Sequence, residues 1–427
     1  WYDGYLYAGN YSAAALVRID VENRTATNLG RLSGTPFYQQ RLRESTTGDG
    51  KVFFGTGAGK NTYGGMLYWY DTEKNMVYLA AGPNPEDVYC FQGGDWNGQW
   101  YKAMSGEPVS LDFNGDGSVS SADGVSADNK QLFAGVVANQ TPCYIMYKDG
   151  LIYGCTSKHN GSGTDLTKYP DNPVLFVYDV EAMKLVATHD ISISVPGLYK
   201  PIEMIDFVAE DPDVEGKFWG VVSDTLFSFT FDEATKLFDV KIELSFGVDR
   251  CNIGGSGWDG RDVIFDGDFM YVSFGNAGTY MIHREIPTIY YKLSDIATKH
   301  MVMAADGNIY YINNDADLKV LYTAEICAEI KDSHGSGRAQ ELIDALPDAS
   351  NITLNDEATV IAARKAYDNL SEKAKAEIQN VEKLTAAEAA IAPLRAAADQ
   401  AAADAVTAKI AAIGTVTVDS EAAITAA

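Results

Sequence analysis

The sequence predicts a mainly β protein of the propeller class followed by a smaller α-helical bundle. Three observations carry this: a turn-and-strand unit recurs about six times before residue 330, alanine then replaces glycine and aromatics as the dominant residue type, and a helical repeat closes the chain.

The β units begin with "YDGYLYAGNYSAAALVRIDVENRTATNLG", "GDGKVFFGTGAGKNTYGGMLYWYDTEKNMVYLA" and the stretch running from "KDGLIYGC" to "VATHDI". Looser copies open at "EGKFWG", "FDGDFMY" and "ADGNIYY". In each, Asp-Gly or Glu-Gly starts an apolar and aromatic strand, and a second turn, at Asp20, Asp71, Asp179 or Asp232, reverses the chain. Antiparallel sheets of this kind bury both faces only by stacking on one another, which radial repetition achieves. About six units predict six or seven blades. A two-sheet sandwich satisfies the same strand pattern.

Composition divides the chain into 1–330 and 331–427, with "KDSHGSGRAQ" reading as a linker and the boundary near His334. In the second part "NITLNDEATVIAA" at 351–363 aligns with "TVTVDSEAAITAA" at 415–427, an offset of 64, and "LIDALP" upstream aligns with "KIAAIG" with a three-residue slip. These are tandem helical modules, the second incomplete, and the chain reads as a piece of something longer. Helix starts are expected at Asn355-Asp356-Glu357, at a Ser371 cap, and at a capping box of Thr385 with Glu388. Val360, Ile361, Tyr367, Leu370, Ile378, Leu384, Ile391 and Leu394 supply an apolar stripe for a three-helix bundle.

The 427 residues carry 59 acidic against 33 basic side chains, a net charge of −26. That balance repels phosphate backbones and anionic membranes, so nucleic acid is excluded as a partner, and it suits a calcium-rich extracellular fluid with neutral or cationic ligands. No apolar run reaches the length of a membrane span. Five cysteines give no disulfide framework. In "CYIMYKDGLIYGC" a three-residue turn sets Cys143 opposite Cys155, whereas a two-residue Asp149-Gly150 turn offsets them, and both remain open.

The chemistry concentrates in "LDFNGDGSVSSAD", an insertion spanning about 105–135. Counting from Asp112, positions 1, 3, 5, 7, 9 and 12 are Asp112, Asn114, Asp116, Ser118, Ser120 and Asp123, with Gly117 at position 6. Ca²⁺ takes six to eight oxygens, and a sharply turning loop aims alternate residues inward, so this spacing predicts a structural calcium. Val119 is expected to pack underneath. Just upstream, "YCFQGGDWNGQWYKAM" sets Trp96, Trp100 and Tyr101 near Asp95 and Asn97, a pairing of aromatic faces and polar groups that suits sugar rings. "GWDGRD" offers Asp259 and Arg261 on a turn as further ligand contacts. The five histidines are scattered, with no metal-ligand pair at i, i+4 and no nucleophile motif.

Three resemblances extend these readings. The loop resembles the EF-hand and, with Asp at position 12, the dockerin pattern D-x-N-x-D-G-x-V-x-x-x-D; a dockerin has two such loops and this chain has one, so the likeness implies calcium and not a cohesin partner. The β units resemble the repeats of bacterial secreted propellers, loosely related to the quinoprotein and YVTN-type superfamily. "EATVIAARKAYDNLSEKAKAEIQNVEKLTAAEAAI" resembles the FIVAR-like tandem helical modules of Gram-positive, clostridia-like surface proteins, over roughly 340–427. That implies an exported, multidomain, wall-associated protein with helical spacers. Two function classes follow: a cell-surface module binding glycan or protein ligands, which is the reading favoured, and a carbohydrate-active enzyme, a polysaccharide lyase or glycoside hydrolase. Propellers place functional residues on loops at the channel mouth, so the fold does not choose between them.

Overall fold

The computed structural model describes residues 1–58, 64–125, 132–157, 172–194, 205–222, 224–246, 263–274, 277–296, 298–312 and 317–413. They form two compact units, one of residues Trp1–Ala304 with Ile309–Leu321, the other of Ala305–Asn308 with the chain from Tyr322 onward.

The first unit is a run of antiparallel meanders, six sheets among the described residues. The first holds β1 (Leu6–Asn10), β2 (Ala15–Asp20) and β3 (Thr25–Gly30). The second holds β4 (Gln39–Gly48), β5 (Lys51–Ala58), β6 (Leu67–Asp71), β7 (Met76–Ala80), β8 (Val88–Gln92), β9 (Trp100–Lys102) and β10 (Pro108–Val109). The third holds β11 (Thr141–Lys148), β12 (Leu151–Ser157), β13 (Val174–Asp179) and β14 (Lys184–Asp190), followed by the single turn α1 (Ile191–Ser194). The fourth holds β15 (Phe207–Glu210), β16 (Phe218–Val222), β17 (Thr225–Asp232) and β18 (Leu237–Ser245), and the fifth β19 (Val263–Asp266), β20 (Phe269–Phe274), β21 (Gly278–His283) and β22 (Tyr290–Ser294). The last holds β23 (Lys299–Met303), β24 (Ile309–Ile312) and β25 (Leu318–Leu321).

This is a propeller arrangement of five blades, and not of the six or seven expected. The sheet β1–β3 has three strands and touches β4 through β1 and β2. A turn-and-strand pattern registers hairpins, which are local, and does not fix the number of blades. The apolar side chains pack between neighbouring sheets: Leu16 and Leu29 with Tyr68 and Phe91, then Phe53 and Trp69 with Ile152 and Tyr178, then Tyr153 with Phe218, Phe227 and Met270. Both faces of an inner blade are therefore buried, which is what stacked sheets require.

The turn residues act as their types dictate. Asp49-Gly50 and Asp149-Gly150 join β4 to β5 and β11 to β12 as two-residue loops with φ of 45° and 72°, and 48° and 84°, the left-handed pairs of a type I′ hairpin. The outer turns use aspartate differently. Asp20, Asp71, Asp179 and Asp232 end β2, β6, β13 and β17, and their carboxylates accept backbone N–H bonds of 2.8–2.9 Å from Asn23, Lys74, Ala182 and Ala234.

The second unit consists of α2 (Ala324–Ala345), α3 (Glu357–Asp368), the short α4 (Glu372–Lys375) and α5 (Val381–Ile413). The expected linker is helix: α2 runs through "KDSHGSGRAQ", and the division falls at Leu321/Tyr322, not near 330. Gly335 is a packing residue, since a Cβ there would lie 2.6 Å from Cδ2 of Leu370. Ser371 caps α4 as expected, accepting from the Ala374 N–H at 3.2 Å, and α3 begins at Glu357. The capping box at Thr385 does not form, because α5 already starts at Val381 and the Thr385 hydroxyl donates back to the Val381 carbonyl. Ile343, Val360, Leu384 and Ile391 make the small core, while Ile361, at 56% exposure, and Leu394 face solvent. No helix among the described residues is long and apolar enough to cross a membrane.

Candidate functional site: an oxygen-lined loop and the pocket beside it

The 112–123 segment closes around its own carboxylates. Oδ1 of Asp112 accepts from the N–H of Gly115 at 2.7 Å and of Asp116 at 3.0 Å, and Oδ2 from Gly117 at 2.8 Å. Glycine is needed at Gly115 and Gly117, whose φ of 74° and 87° bring those N–H groups round. At the far end Asp123 is fully buried and joins the two halves, accepting from the Asn114 N–H at 3.2 Å and the Ser120 N–H at 2.8 Å. Ser120 in turn accepts from the Ala122 N–H at 3.1 Å, completing the cap of the 3₁₀ turn Ser121–Gly124. Asp116 accepts from the Ser118 hydroxyl and N–H, which hold its carboxyl below the ordinary carboxylate range.

The donor set is oxygen only, which suits a hard cation in kind. Among the described residues no three His, Cys, Asp or Glu side chains converge as a ligand cluster. Asp112 is engaged by backbone N–H groups, and Asp123 by Asn114 and Ser120.

An aromatic relay ties the loop to the blade beneath. Phe113 packs on Phe133 with centroids 5.6 Å apart, Phe133 on Phe37 at 4.7 Å, and Phe37 on Trp100 at 5.4 Å. Behind the loop, Gly124 sits so close to the Pro36 carbonyl that a Cβ would lie 2.2 Å from it. Between the loop and the β8–β9 turn opens a pocket of about 450 Å³. Gly34, Thr35 and Leu111 line it, with Trp96, Asn97, Gly98, Gln99 and Trp100 from one side and Pro108, Val109, Ser110 and Val119 from the other.

Three sequence expectations change here. Val119 is 49% exposed and lines the pocket instead of packing under the loop. Trp100 is buried on β9 in the core, its Nε1 donating to the Trp96 carbonyl at 2.9 Å. Tyr101, the next residue of the strand, faces the other way and packs with the Trp69 cluster, away from the pocket. Trp96 is half-buried on the turn, packs against the core below and lines the pocket. Asp259 and Arg261 lie outside the described residues. Sequence reasoning missed Thr35, which reaches the pocket from a segment far from the tryptophans beside the left-handed Gly34 (φ 82°), and Ser110, which the β9–β10 hairpin brings alongside Trp100.

The Cys143–Cys155 alternatives resolve unexpectedly. The turn is the two-residue Asp149-Gly150, but a bulge between Pro142 and Tyr144 restores the approach, and the two free thiols lie 3.9 Å apart.

No protein-family model and no curated protein matches this chain. Among solved structures, similar ones include a luciferin-regenerating enzyme (11% identity, 74% of this chain and 83% of that one, TM-score 0.36). Others are a protein from Lactobacillus plantarum (11%, 74% and 79%, TM-score 0.35) and Saccharomyces cerevisiae Sqt1 (8%, 74% and 81%, TM-score 0.37). Likeness at this level carries no functional argument.

Proposed function

We propose that this chain is an exported, cell-surface or wall-associated binding module whose pocket beside the 112–123 loop takes a neutral, hydroxyl-rich ligand such as a glycan. The loop holds one structural Ca²⁺ through Asp112, Asn114, Asp116, Ser118, Ser120 and Asp123, and the helical unit is a spacer of a Gram-positive multidomain protein. The observation that carries the reading is the shared wall: Val119 of the loop and Trp96 of the β8–β9 turn line one pocket. The Trp96 ring offers an apolar face to the C–H face of a sugar, while Asn97 and Ser110 supply polar groups at the rim. A net charge of −26 disfavours anionic ligands. Calcium adds charge neutralisation and rigidity to a loop already folded around its oxygens.

The test is a glycan array on the full chain followed by titration calorimetry, with and without chelator, beside assays for new reducing ends and unsaturated products. Trp96→Ala is expected to weaken binding roughly tenfold. Chelator is expected to lower the melting temperature, since calcium binding to the folded state adds about 2.7 kcal/mol at roughly a hundredfold excess over Kd. The pair Asp112→Ala with Asp116→Ala should abolish that response. Product release without Trp96 dependence would favour the lyase or hydrolase reading, and a melt indifferent to chelator would remove calcium.

A further inference from the structure

The hairpin β11–β12 holds two of the chain's five cysteines at its far end from the Asp149-Gly150 turn. In regular register Cys143 would face Thr156, because Lys148 pairs with Leu151 and Tyr144 with Cys155. Pro142 has no N–H for the ladder, the register shifts there, and Cys143 becomes the extra, unpaired residue of a bulge. A bulge re-aims its side chain. The result is a Cys143 Sγ 3.9 Å from the Cys155 Sγ, with both side chains buried in the core between the third and fourth sheets. The hydrogen bonds the thiols make are long ones: Cys143 donates to the Cys155 carbonyl at 3.4 Å, and both lie within 3.5 Å of the Ile205 carbonyl. Thiols are weak donors, so giving up these contacts costs little.

We infer that Cys143 and Cys155 form a disulfide across this bulge when the chain folds in the presence of a small-molecule disulfide. One thiolate attacks the small disulfide RSSR and releases RS⁻; the other attacks the resulting mixed disulfide and releases the second RS⁻. The two protons lost by the cysteines reprotonate the leaving groups, so two protein thiols and RSSR give one protein disulfide and two RSH. Burial and the Cys143 contact push the Cys155 thiol well above its usual range, so exchange is slow once the blade has closed and the bond forms during folding. The bond pins the bulge and the entry of β11 to its own sheet. Cys90 is buried in the neighbouring core around Trp69.

The experiment refolds the full chain from reduced, unfolded protein in equimolar reduced and oxidised glutathione, then unfolds it with iodoacetamide and maps peptides by mass spectrometry. The expected result is one linked pair, Cys143 with Cys155, with Cys90, Cys251 and Cys327 alkylated. Alkylation of both Cys143 and Cys155, or a link of either to Cys251, overturns the inference. A second measurement compares melting of the oxidised protein with and without prior reduction: a fall of about 5 °C is expected for the wild type and none for Cys143→Ala with Cys155→Ala. An equal response of both proteins also overturns it.

Discussion

Arg284 in the β unit and Arg364 in the helical unit make the same kind of contact with carboxylates in opposite surroundings. Arg284 is 7% exposed, donates from Nη1 to Asp211 at 2.6 Å and from Nε to the Gly267 carbonyl at 2.9 Å, and also pairs with Asp213. Asp211 is shared, accepting from Nε1 of Trp219 at 2.8 Å, so one buried carboxylate joins the fourth sheet to the fifth. Arg364 forks onto Glu388 at 2.6 and 2.7 Å and is about a third exposed. The difference lies in what is left behind when a partner is removed. In the β unit a desolvated charge remains; in the helical unit water replaces the arginine.

The largest effect expected from breaking that comparison is on Arg284. Arg284→Ala strands Asp211 in the core and is expected to destabilise the β unit by about 3–5 kcal/mol, whereas Arg364→Ala is expected to cost about 0.2–1 kcal/mol. All six tryptophans lie in the first 258 residues, so tryptophan fluorescence reports the β unit while helical circular dichroism reports the other. Equal shifts for the two substitutions would show that burial does not set the scale.

A second comparison sharpens the helical side. The "LIDALP" and "KIAAIG" stretches align Ile343 of α2 with Ile410 of α5, yet Ile343 is fully buried and Ile410 is 59% exposed. Every described residue of α5 from Ala392 through Ala412 is exposed. Repeat position alone does not make a core; the partner face does. Ile343→Ala is expected to cost about 2–5 kcal/mol, and Ile410→Ala within about 0.5 kcal/mol of nothing, by denaturant titration of the helical signal.

The same contrast explains what the sequence could be made to say. Features set by local chemistry were legible: the Asp-Gly hairpins, the turn aspartates at Asp20 and Asp232, the Ser371 cap and the spacing of oxygens from Asp112 to Asp123. Features set by long-range approach were not. Trp96 and Trp100 look alike until the β9 register sends one inward. Gly335 reads as a linker until Leu370 is found against it. The Cys143 approach needed a bulge that only the pairing of β11 with β12 reveals, Thr35 meets the tryptophan turn through tertiary packing, and Ser110 reaches it through the short β9–β10 hairpin, whose register sets Val109 opposite Trp100. The blade count failed for the related reason that hairpins are local and blades are not.

The smallest expected effect concerns the exposed turn aspartates, where solvent screens what burial amplifies at Arg284. Asp20 is held below the ordinary carboxylate value by the side chain and N–H of Asn23, and Asp232 by the N–H groups of Thr235 and Ala234. Their folded values are depressed, so the unfolded chain takes up protons first as pH falls. The stabilisation is complete above the unfolded carboxylate value near 3.8 and disappears as pH drops through the lower folded values. Acidification from neutrality to below pH of about 4 should therefore lower the melting temperature of the β unit, and Asp20→Asn with Asp232→Asn should flatten that slope without changing the fold. Asparagine keeps an acceptor oxygen at each turn but does not titrate, so the double substitution separates the proton from the hydrogen bond. If the double variant loses stability with acid as steeply as the wild type, the slope arises elsewhere among the 59 acidic residues and the turn aspartates act through geometry alone.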